Sequence, residues 1–292
     1  MADVTIGMPV YNGANFIAEA IESLLAQTFT DFELIISDNG STDETESICR
    51  SFVKRDPRVQ YFRSDCNRGA AWNYNRTFEL SNSPYFKWAS HDDICAPTLV
   101  ERCVEVLDQE DAVVLCYAKT TFIDEKSQVI NEYEDKLNLG ATKPHRRFWG
   151  FLRKPAGCNP VFGLMRRDVL ATTRLIGSYE SSDYNLLAEM CLRGQFRELP
   201  ERLFYRRNHP LMSRRVNKSG GDFISWFNTN CRGRNRLPHL RILYELIKRI
   251  WQAPINDREK LLCYGEIVRT SLTLGNRTFD WCRARNDKER MY

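Results

Sequence analysis

Short apolar runs and helical stripes alternate along the first part of the chain. Val4–Val10 is an apolar run that reads as a strand, and residues 15–27 then place Phe16, Ile17, Ala20, Ile21, Leu24 and Leu25 on one stripe with helical spacing. The pattern repeats. Residues 32–37 read as a second strand that leads into Asp38-Asn39-Gly40-Ser41, where Ser41-x-x-Glu44 is a capping-box signature for the start of a helix. Val59–Arg63 predicts a third strand, followed by a loop with Asn67 and Gly69 and a helix up to Leu80. Residues 85–90 predict a fourth strand that stops at His91-Asp92-Asp93. Pro97 opens a helix to about Leu107, as proline at a first helical position tends to do, and residues 112–118 form a buried strand. Strands alternating with helices predict the α/β class, with a mostly parallel, doubly wound sheet.

Beyond about residue 120 the periodicity loosens. Residues 121–130 suggest a hairpin, 145–151 a short helix, 161–165 a strand and 183–193 an amphipathic helix, joined by polar loops. From about 216 the pattern reads as helical, with apolar stripes interleaved with Arg and Lys at 237–251 and 258–274. This predicts a boundary near 215 and a basic helical C-terminal extension over 216–292.

Composition adds limits. The chain has 292 residues, 42% of them hydrophobic and 12% aromatic, with 15 Gly and 11 Pro, which excludes wholesale disorder and fibrous repeats. The longest apolar run, 112–118, is far shorter than the roughly 20 residues a membrane span requires. The N-terminus has no basic stretch before its first strand, so a cytoplasmic location, with contact at a membrane surface left open, is expected. Ten cysteines are spread from Cys49 to Cys282 with no C-x-x-C, which predicts buried reduced thiols rather than a zinc site or disulfide framework. Charge is unevenly placed: residues 1–192 hold 20 basic and 28 acidic side chains, net −8, and 193–292 hold 22 and 10, net +12. A polycationic last third suits nucleic acid, an anionic membrane or a phosphate-bearing substrate.

In an open parallel sheet, ligands bind beyond the carboxyl ends of the strands. Here those ends carry Pro9-Val10-Tyr11-Asn12, Asp38-Asn39-Gly40-Ser41-Thr42-Asp43 and His91-Asp92-Asp93. Neither G-x-G-x-x-G nor G-x-x-x-x-G-K-[ST] occurs, so phosphate is not met by a glycine-rich loop, and a divalent cation on carboxylates is the natural substitute. The alternative for Asp92-Asp93 is a solvated loop or a helix cap before Pro97. Hard oxygen ligands at a strand end favour Mg²⁺ or Mn²⁺.

Taken in order with Asn67-Arg68-Gly69 and Asn73, these motifs resemble those of the inverting family-2 glycosyltransferases of GT-A fold, over about residues 1–215. The resemblance implies a nucleotide-sugar-binding half at 1–118 and an acceptor-binding half at 119–215. It implies that Pro9, Tyr11 and Asn12 line the nucleoside pocket, that Asp38 reads the base, usually uracil, that Asp93 is the main metal ligand and that Asp92 contacts ribose or metal. Asn67 and Arg68 fall in a loop that approaches the base or the phosphates in relatives. Two positions depart from the usual pattern: Asn39 stands in Asp-Asp-Gly-Ser, and the D-x-D triplet is His91-Asp92-Asp93. The family also carries a carboxylate before the helix after the acceptor loop, and Asp183 aligns best with it. Asp183 is thus the expected general base, with Glu180 or a plain helix cap as alternatives. The stretch 205–215 is similar to the family's flexible loop over the diphosphate. Arg206, Arg207 or Arg214 would neutralise the leaving group there unless the stretch is only a solvated basic turn, and His209 would be a third metal ligand or a phosphate donor.

The expected activity is transfer of a sugar, with inversion, from a nucleotide-sugar donor, UDP-linked, to a hydroxyl of a glycan or lipid-linked glycan, with Mn²⁺ or Mg²⁺. A sugar nucleotidyltransferase would want a basic glycine-rich loop after the first strand, and residues 9–15 hold no basic side chain. No nucleic-acid-binding motif accompanies the basic last third, so nucleic acid is not an expected partner. A non-catalytic glycan-binding relative is a further alternative. Trp149 is preferred to Trp72 and Trp88 as an acceptor platform, and His145 and His239 read as surface or packing residues. The stripe Leu240, Ile242, Leu243, Leu246, Ile247 and Ile250 would serve peripheral membrane contact, a homodimer interface or packing on the catalytic domain.

Overall fold

The computed structural model describes residues 2–153, 158–212, 225–227, 229 and 238–274. Its element order follows the apolar pattern: β1 (Val4–Val10), α1 (Ile17–Leu25), β2 (Phe32–Asp38), α2 (Thr45–Arg55), β3 (Val59–Arg63), α3 (Ala70–Glu79), β4 (Tyr85–Trp88), β5 (Ile94–Cys95) and α4 (Leu99–Gln109). Next come β6 (Val113–Ile123), β7 (Val129–Tyr133), α5 (Pro144–Leu152), β8 (Leu164–Arg166), α6 (Arg167–Ala171), α7 (Ser182–Arg193) and β9 (Gln195–Arg207). Two helices close the described chain, α8 (Pro238–Gln252) and α9 (Asp257–Leu274).

One sheet runs in the order β3-β2-β1-β4-β8-β6-β9-β5, with β7 on β6. The pairs β1–β2, β2–β3, β1–β4 and β6–β9 are parallel, and the short β8 and β5 enter antiparallel. Every residue of β1 is buried, as expected of a central parallel strand covered on both faces. One face packs Val4, Ile6, Met8 and Val10 against Ile17, Ile21 and Leu24 of α1 and Leu107 of α4. On the other face, Phe86 and Trp88 of β4 join Leu186, Leu187 and Met190 of α7 and Ile242, Leu246 and Ile250 of α8 in a second core. At Gly7 a Cβ would lie 2.6 Å from Thr77 Oγ1, so α3 can sit this close to β1 only over glycine.

Several expectations shift. Ser41 does not cap α2, which starts at Thr45; instead its hydroxyl accepts the Asn12 N–H at 2.9 Å. Of the strand expected at 161–165, Val161 and Phe162 belong to a 3₁₀ turn, Asn159–Phe162, and the strand is Leu164–Arg166. The largest difference is β9, expected as loop. Its mixed Arg/Glu/apolar sequence buries Phe196, Leu199 and Phe204, and its register against β6 slips where Pro200 cannot donate to the ladder. Seven of the eight described cysteines are buried and unbridged, and Cys66 is exposed and unbridged.

The expected boundary near 215 falls outside the described residues. Helices α8 and α9 beyond it share their core with α5 and α7. The seam between α7 and α8 also carries buried charge: Arg249 meets Glu245 at 3.0 Å and Glu189 at 3.4 Å, and Arg193 meets Glu189 at 3.0 Å. Removing one member of such a network strands the others in a poorly solvated place. Arg249→Met is therefore expected to lower the unfolding free energy by about 3–5 kcal/mol in a urea titration; wild-type stability would show that the seam contributes nothing.

Candidate functional site

The carboxyl ends of β1, β2, β4 and β9 surround a cleft of about 550 Å³. The loop after β1 is fastened to the loop after β2 by side chains of the motif that follows Asp38. Thr45 Oγ1 accepts the Gly13 N–H at 2.9 Å, Asp43 Oδ2 accepts the Ala14 N–H at 3.0 Å, and Asn12 Oδ1 accepts the Thr42 N–H at 2.8 Å. Asn12 takes a left-handed φ of 53°, and Gly40 one of 78°, where a Cβ would meet the Cys66 backbone at 2.9 Å. The Asp43 carboxyl is partly buried, which opposes ionisation, yet its bonds from Thr45 and Ala14 hold it below its ordinary range.

Pro9, Tyr11, Asn12, Asn67, Asp92, Asp93, Arg206 and His209 all line the cleft. Asp38 does not. Its side chain is fully buried beneath the loop, where Oδ1 accepts the Ser41 N–H at 2.8 Å and Oδ2 accepts the Tyr61 hydroxyl at 2.5 Å. The neighbour Asn39 reaches the cleft instead, with its amide donating to Asn67 Oδ1 at 2.9 Å and its oxygen accepting the Arg68 N–H at 3.0 Å. Arg68 lies outside the lining and stacks over Trp72 at 4.8 Å. Asn73 bonds to Ser37 and to the Val10 carbonyl, tying α3 across the ends of β1 and β2. Asn39 and Asn73 stand in the family-like motifs of the sequence, Asn39 as a departure from the usual pattern, but neither was given a role there, because a neutral amide carries no charge signal.

Asp92 and Asp93 are adjacent on the cleft wall, Asp93 buried and the Asp92 side chain 15% exposed. Asp92 accepts from Ser90, and its Oδ2 lies 2.9 Å from His209 Nε2. Burial opposes its charge, but His91, His209 and Ser90 outweigh this and hold its carboxyl well below the usual range. Asp93 is pushed well above that range by burial and by the Asp92 charge, with Arg206, the Arg207 N–H and Lys87 pulling the other way. His209 packs on Phe16 at 4.7 Å, and its Nδ1 is buried with no hydrogen-bond partner. Among the described residues no three His, Cys, Asp or Glu side chains are grouped to hold an ion by themselves. The pair nonetheless suits a divalent cation: two adjacent carboxylates of which Asp93 is left short of positive charge, with the Nδ1 of the neighbouring His209 bonded to nothing.

Arg206 and Arg207 separate. Arg206 lines the cleft and donates to Asn159 Oδ1 at 2.7 Å. Arg207 is 1% exposed and outside the lining. Its guanidinium donates to the carbonyls of Asp92 and Asp124, to Ser127 Oγ and to Glu19, and its backbone N–H donates to Asp93 Oδ1 at 2.9 Å. It therefore holds the acidic pair from behind and offers no free donor to a phosphate.

Asp183 sits in the first turn of α7, its Oδ1 accepting the Tyr184 N–H at 2.9 Å, and is not part of the lining. Its charge still reaches the site. The Tyr74 phenol, which lines the cleft, is raised by burial and then by Asp92, Asp93 and Asp183 together. At the other end Phe162, Leu211, Met212 and Trp226 make an apolar wall. Trp149, preferred as an acceptor platform from sequence, instead lies beneath Arg153 and Arg269 and outside the lining; Trp88 is core and Trp72 is flanked by Arg68 and Arg76. His145 bonds to Glu259 at 2.7 Å. Arg214 and the side chain of His239 lie outside the described residues.

Comparison with known proteins places this arrangement. Residues 5–173 match the family model described as glycosyl transferase family 2. An uncharacterized glycosyltransferase of Rickettsia typhi is 39% identical over 148 residues, covering 50% of this chain and 42% of that protein. The chondroitin synthase of Escherichia coli is 32% identical over 128 residues, 44% of this chain and 18% of that protein. The matched stretch thus spans less than half of either relative. Among solved structures, S. aureus TarS 1-349 in complex with UDP-GlcNAc superposes with a TM-score of 0.66 at 13% identity, covering 94% of this chain and 74% of that one. Mannosyltransferase PcManGT from Pyrobaculum calidifontis, in complex with GDP-Man and Mn²⁺, gives 0.54 at 13% identity, covering 100% and 81%. At these identities the likeness is one of fold.

The contrast between the two arginines is measurable. Arg207→Met removes a buried guanidinium's bonds to the Asp92 and Asp124 carbonyls, to Ser127 and to the half-exposed Glu19, and is expected to cost about 2–3 kcal/mol in urea unfolding. Arg206→Ala loses one hydrogen bond at the edge of the cleft and is expected to cost about 1 kcal/mol. Equal losses would contradict the different placements.

Proposed function

Because the chain belongs to glycosyl transferase family 2, we propose that it moves a sugar from a UDP-linked donor to a hydroxyl of a glycan or lipid-linked glycan, with inversion at the anomeric carbon. The observation that carries the reading is the single cleft in which four strand ends bring together Asp92, Asp93, Arg206 and His209. The choice of uridine leans on the likeness to the TarS fold, whose structures contain UDP and UDP-GlcNAc.

The nucleoside would lie along Tyr11, Asn12, Asn39 and Asn67, where side chains already fixed by neighbouring loops present polar groups at little further ordering cost. Asp93 and Asp92, with His209, would hold Mn²⁺ or Mg²⁺, and the ion when bound supplies the positive charge that neutralises the donor's diphosphate. Arg206 adds a second cation from β9, turned toward the cleft while Arg207 stays behind it. The acceptor sugar would rest its C–H face on the Trp226 end of the cleft, near Tyr74. There Asp183 takes the proton of the acceptor hydroxyl as its oxygen bonds to the anomeric carbon. The bond from that carbon to the diphosphate breaks on the opposite face, and the nucleoside diphosphate leaves with the electron pair.

A screen of nucleotide-sugars, read as nucleotide release in Mn²⁺, with the product anomer assigned by NMR, tests the reading. Asp183→Asn is expected to lower turnover by about 10²–10⁴-fold while UDP binding in Mn²⁺ persists, because only the proton acceptor is lost. Asp93→Asn is expected to weaken both metal-dependent UDP binding and turnover. Wild-type turnover in both variants would refute the site, and a retained anomer would refute inversion.

A further inference from the structure

Helix α8 carries apolar residues on two opposite sides. Ile242, Leu246 and Ile250 follow one another by single turns and are 8, 6 and 0% exposed, packed against α7. These were half of the stripe singled out in the sequence, and they belong to the core. Leu240, Tyr244, Ile247 and Trp251 recur at i, i+4, i+7 and i+11 and are 52, 55, 44 and 71% exposed. On α9, Leu261 and Val268, seven residues apart, are 71 and 59% exposed. The two helices meet along this side, since the Tyr264 hydroxyl donates to the Ile247 carbonyl and Lys260 lies over the Trp251 ring at 5.7 Å. A row of large apolar side chains this long is unusual on a surface that faces only water.

Charge identifies what fits it. Arg241 and Lys248 lie over Tyr244 at 6.0 and 5.8 Å, and Lys260 over Trp251, so cations stand beside the exposed rings. Arg258 and Arg269 are also exposed. Among the described residues several of these cations have an acidic partner: Arg241 meets Glu245 at 2.8 Å, Lys260 meets Asp257 at 3.8 Å and Arg269 meets Glu266 at 3.9 Å, while Glu259 is bonded to His145, which leaves the half-buried Lys248 and the exposed Arg258 with no acid beside them. A second copy of the same face would bring no spare acid to Lys248 and Arg258. Phosphate headgroups would attract the cations while Tyr and Trp settle at the headgroup level and the aliphatic side chains enter the acyl boundary. No described helix is long and apolar enough to cross a membrane, so the fitting geometry is a helix pair lying on the surface.

We infer that α8 and α9 dock this chain on an anionic membrane through Leu240, Tyr244, Ile247, Trp251, Leu261 and their surrounding cations. The inference goes beyond the transfer reaction and stands without it. The full chain is sedimented with vesicles of phosphatidylcholine alone and of phosphatidylcholine with phosphatidylglycerol, at low and high salt, with no donor or acceptor present. Binding is expected only with phosphatidylglycerol and to weaken as salt rises. The triple variant Leu240→Ser, Ile247→Ser, Trp251→Ser is expected to bind at least about tenfold more weakly with thermal unfolding unchanged, since all three side chains face solvent. Lys248→Glu is expected to weaken binding at low salt. Absence of binding to the anionic vesicles, equal binding by the triple variant, or a dimer in sedimentation equilibrium that this variant dissolves would each overturn the inference.

Discussion

The site depends on holding two adjacent carboxylates, one buried and one partly exposed, at the end of a buried strand. Asp92 and Asp93 follow a strand whose Phe86 and Trp88 are fully buried, so the chain enters the cleft from a dry core. Two like charges this close resist ionising together, and burial sharpens the conflict. The fold resolves half of it by giving Asp92 hydrogen bonds from Ser90 and His209, and leaves Asp93 with one backbone N–H from Arg207 and the more distant charges of Arg206 and Lys87. That unbalanced demand for positive charge at Asp93 is what a cation would meet under the proposed reading.

Holding such a pair in place requires rigidity behind it. Arg207 supplies this by joining α1, the loop after β4, the turn after β6 and its own strand through one guanidinium. The loops after β1, β2 and β3 are fixed in another way, by neutral amides and hydroxyls that satisfy one another, as in the Asn39–Asn67–Gly69 and Asn73–Ser37–Val10 bonds. Neutral groups suit that wall because they do not add to the negative charge at Asp92. The far end is built from Phe162, Leu211, Met212 and Trp226 and offers contact area rather than directed bonds. The cleft thus grades from polar and preorganised to apolar.

Much of this was legible from the sequence because it lies in period and order. The β1–α4 succession follows from apolar spacing, and polar residues at strand ends mark the cleft, so Tyr11, Asn12, Asp92 and Asp93 were found from position, while Asn67, Arg206 and His209 were singled out through the family resemblance. Position does not reveal direction. Asp38 and Asn39 are neighbours at a strand end, and the one that turns away from the cleft finds its partners in Ser41 and in Tyr61 and Arg63 of β3. Arg206 and Arg207 are likewise neighbours on β9, where alternation sends one to the cleft and the other beneath it. That strand was read as a loop because its apolar residues are diluted by charges that find partners only across the sheet, such as Arg202 with Glu132 and Glu134.

The same difficulty, and its physical solution, is clearest in α8. A helix apolar on two sides has no hydrophobic reason to choose which one it buries, because either rotation covers comparable side chains. Glu245 and Arg249 break the tie. Four residues apart, they share the inward side with Ile242, Leu246 and Ile250, and there they meet Glu189 of α7, itself paired with Arg193. Rotating the helix by half a turn would leave Glu189 and Arg193 facing Leu240 and Tyr244, so that two buried charges kept only each other. Buried ion pairs add little net stability against apolar replacements, but breaking one is costly, which makes them better at excluding wrong arrangements than at strengthening right ones. The charged seam therefore fixes the rotation of α8, and in doing so turns Leu240, Tyr244, Ile247 and Trp251 outward.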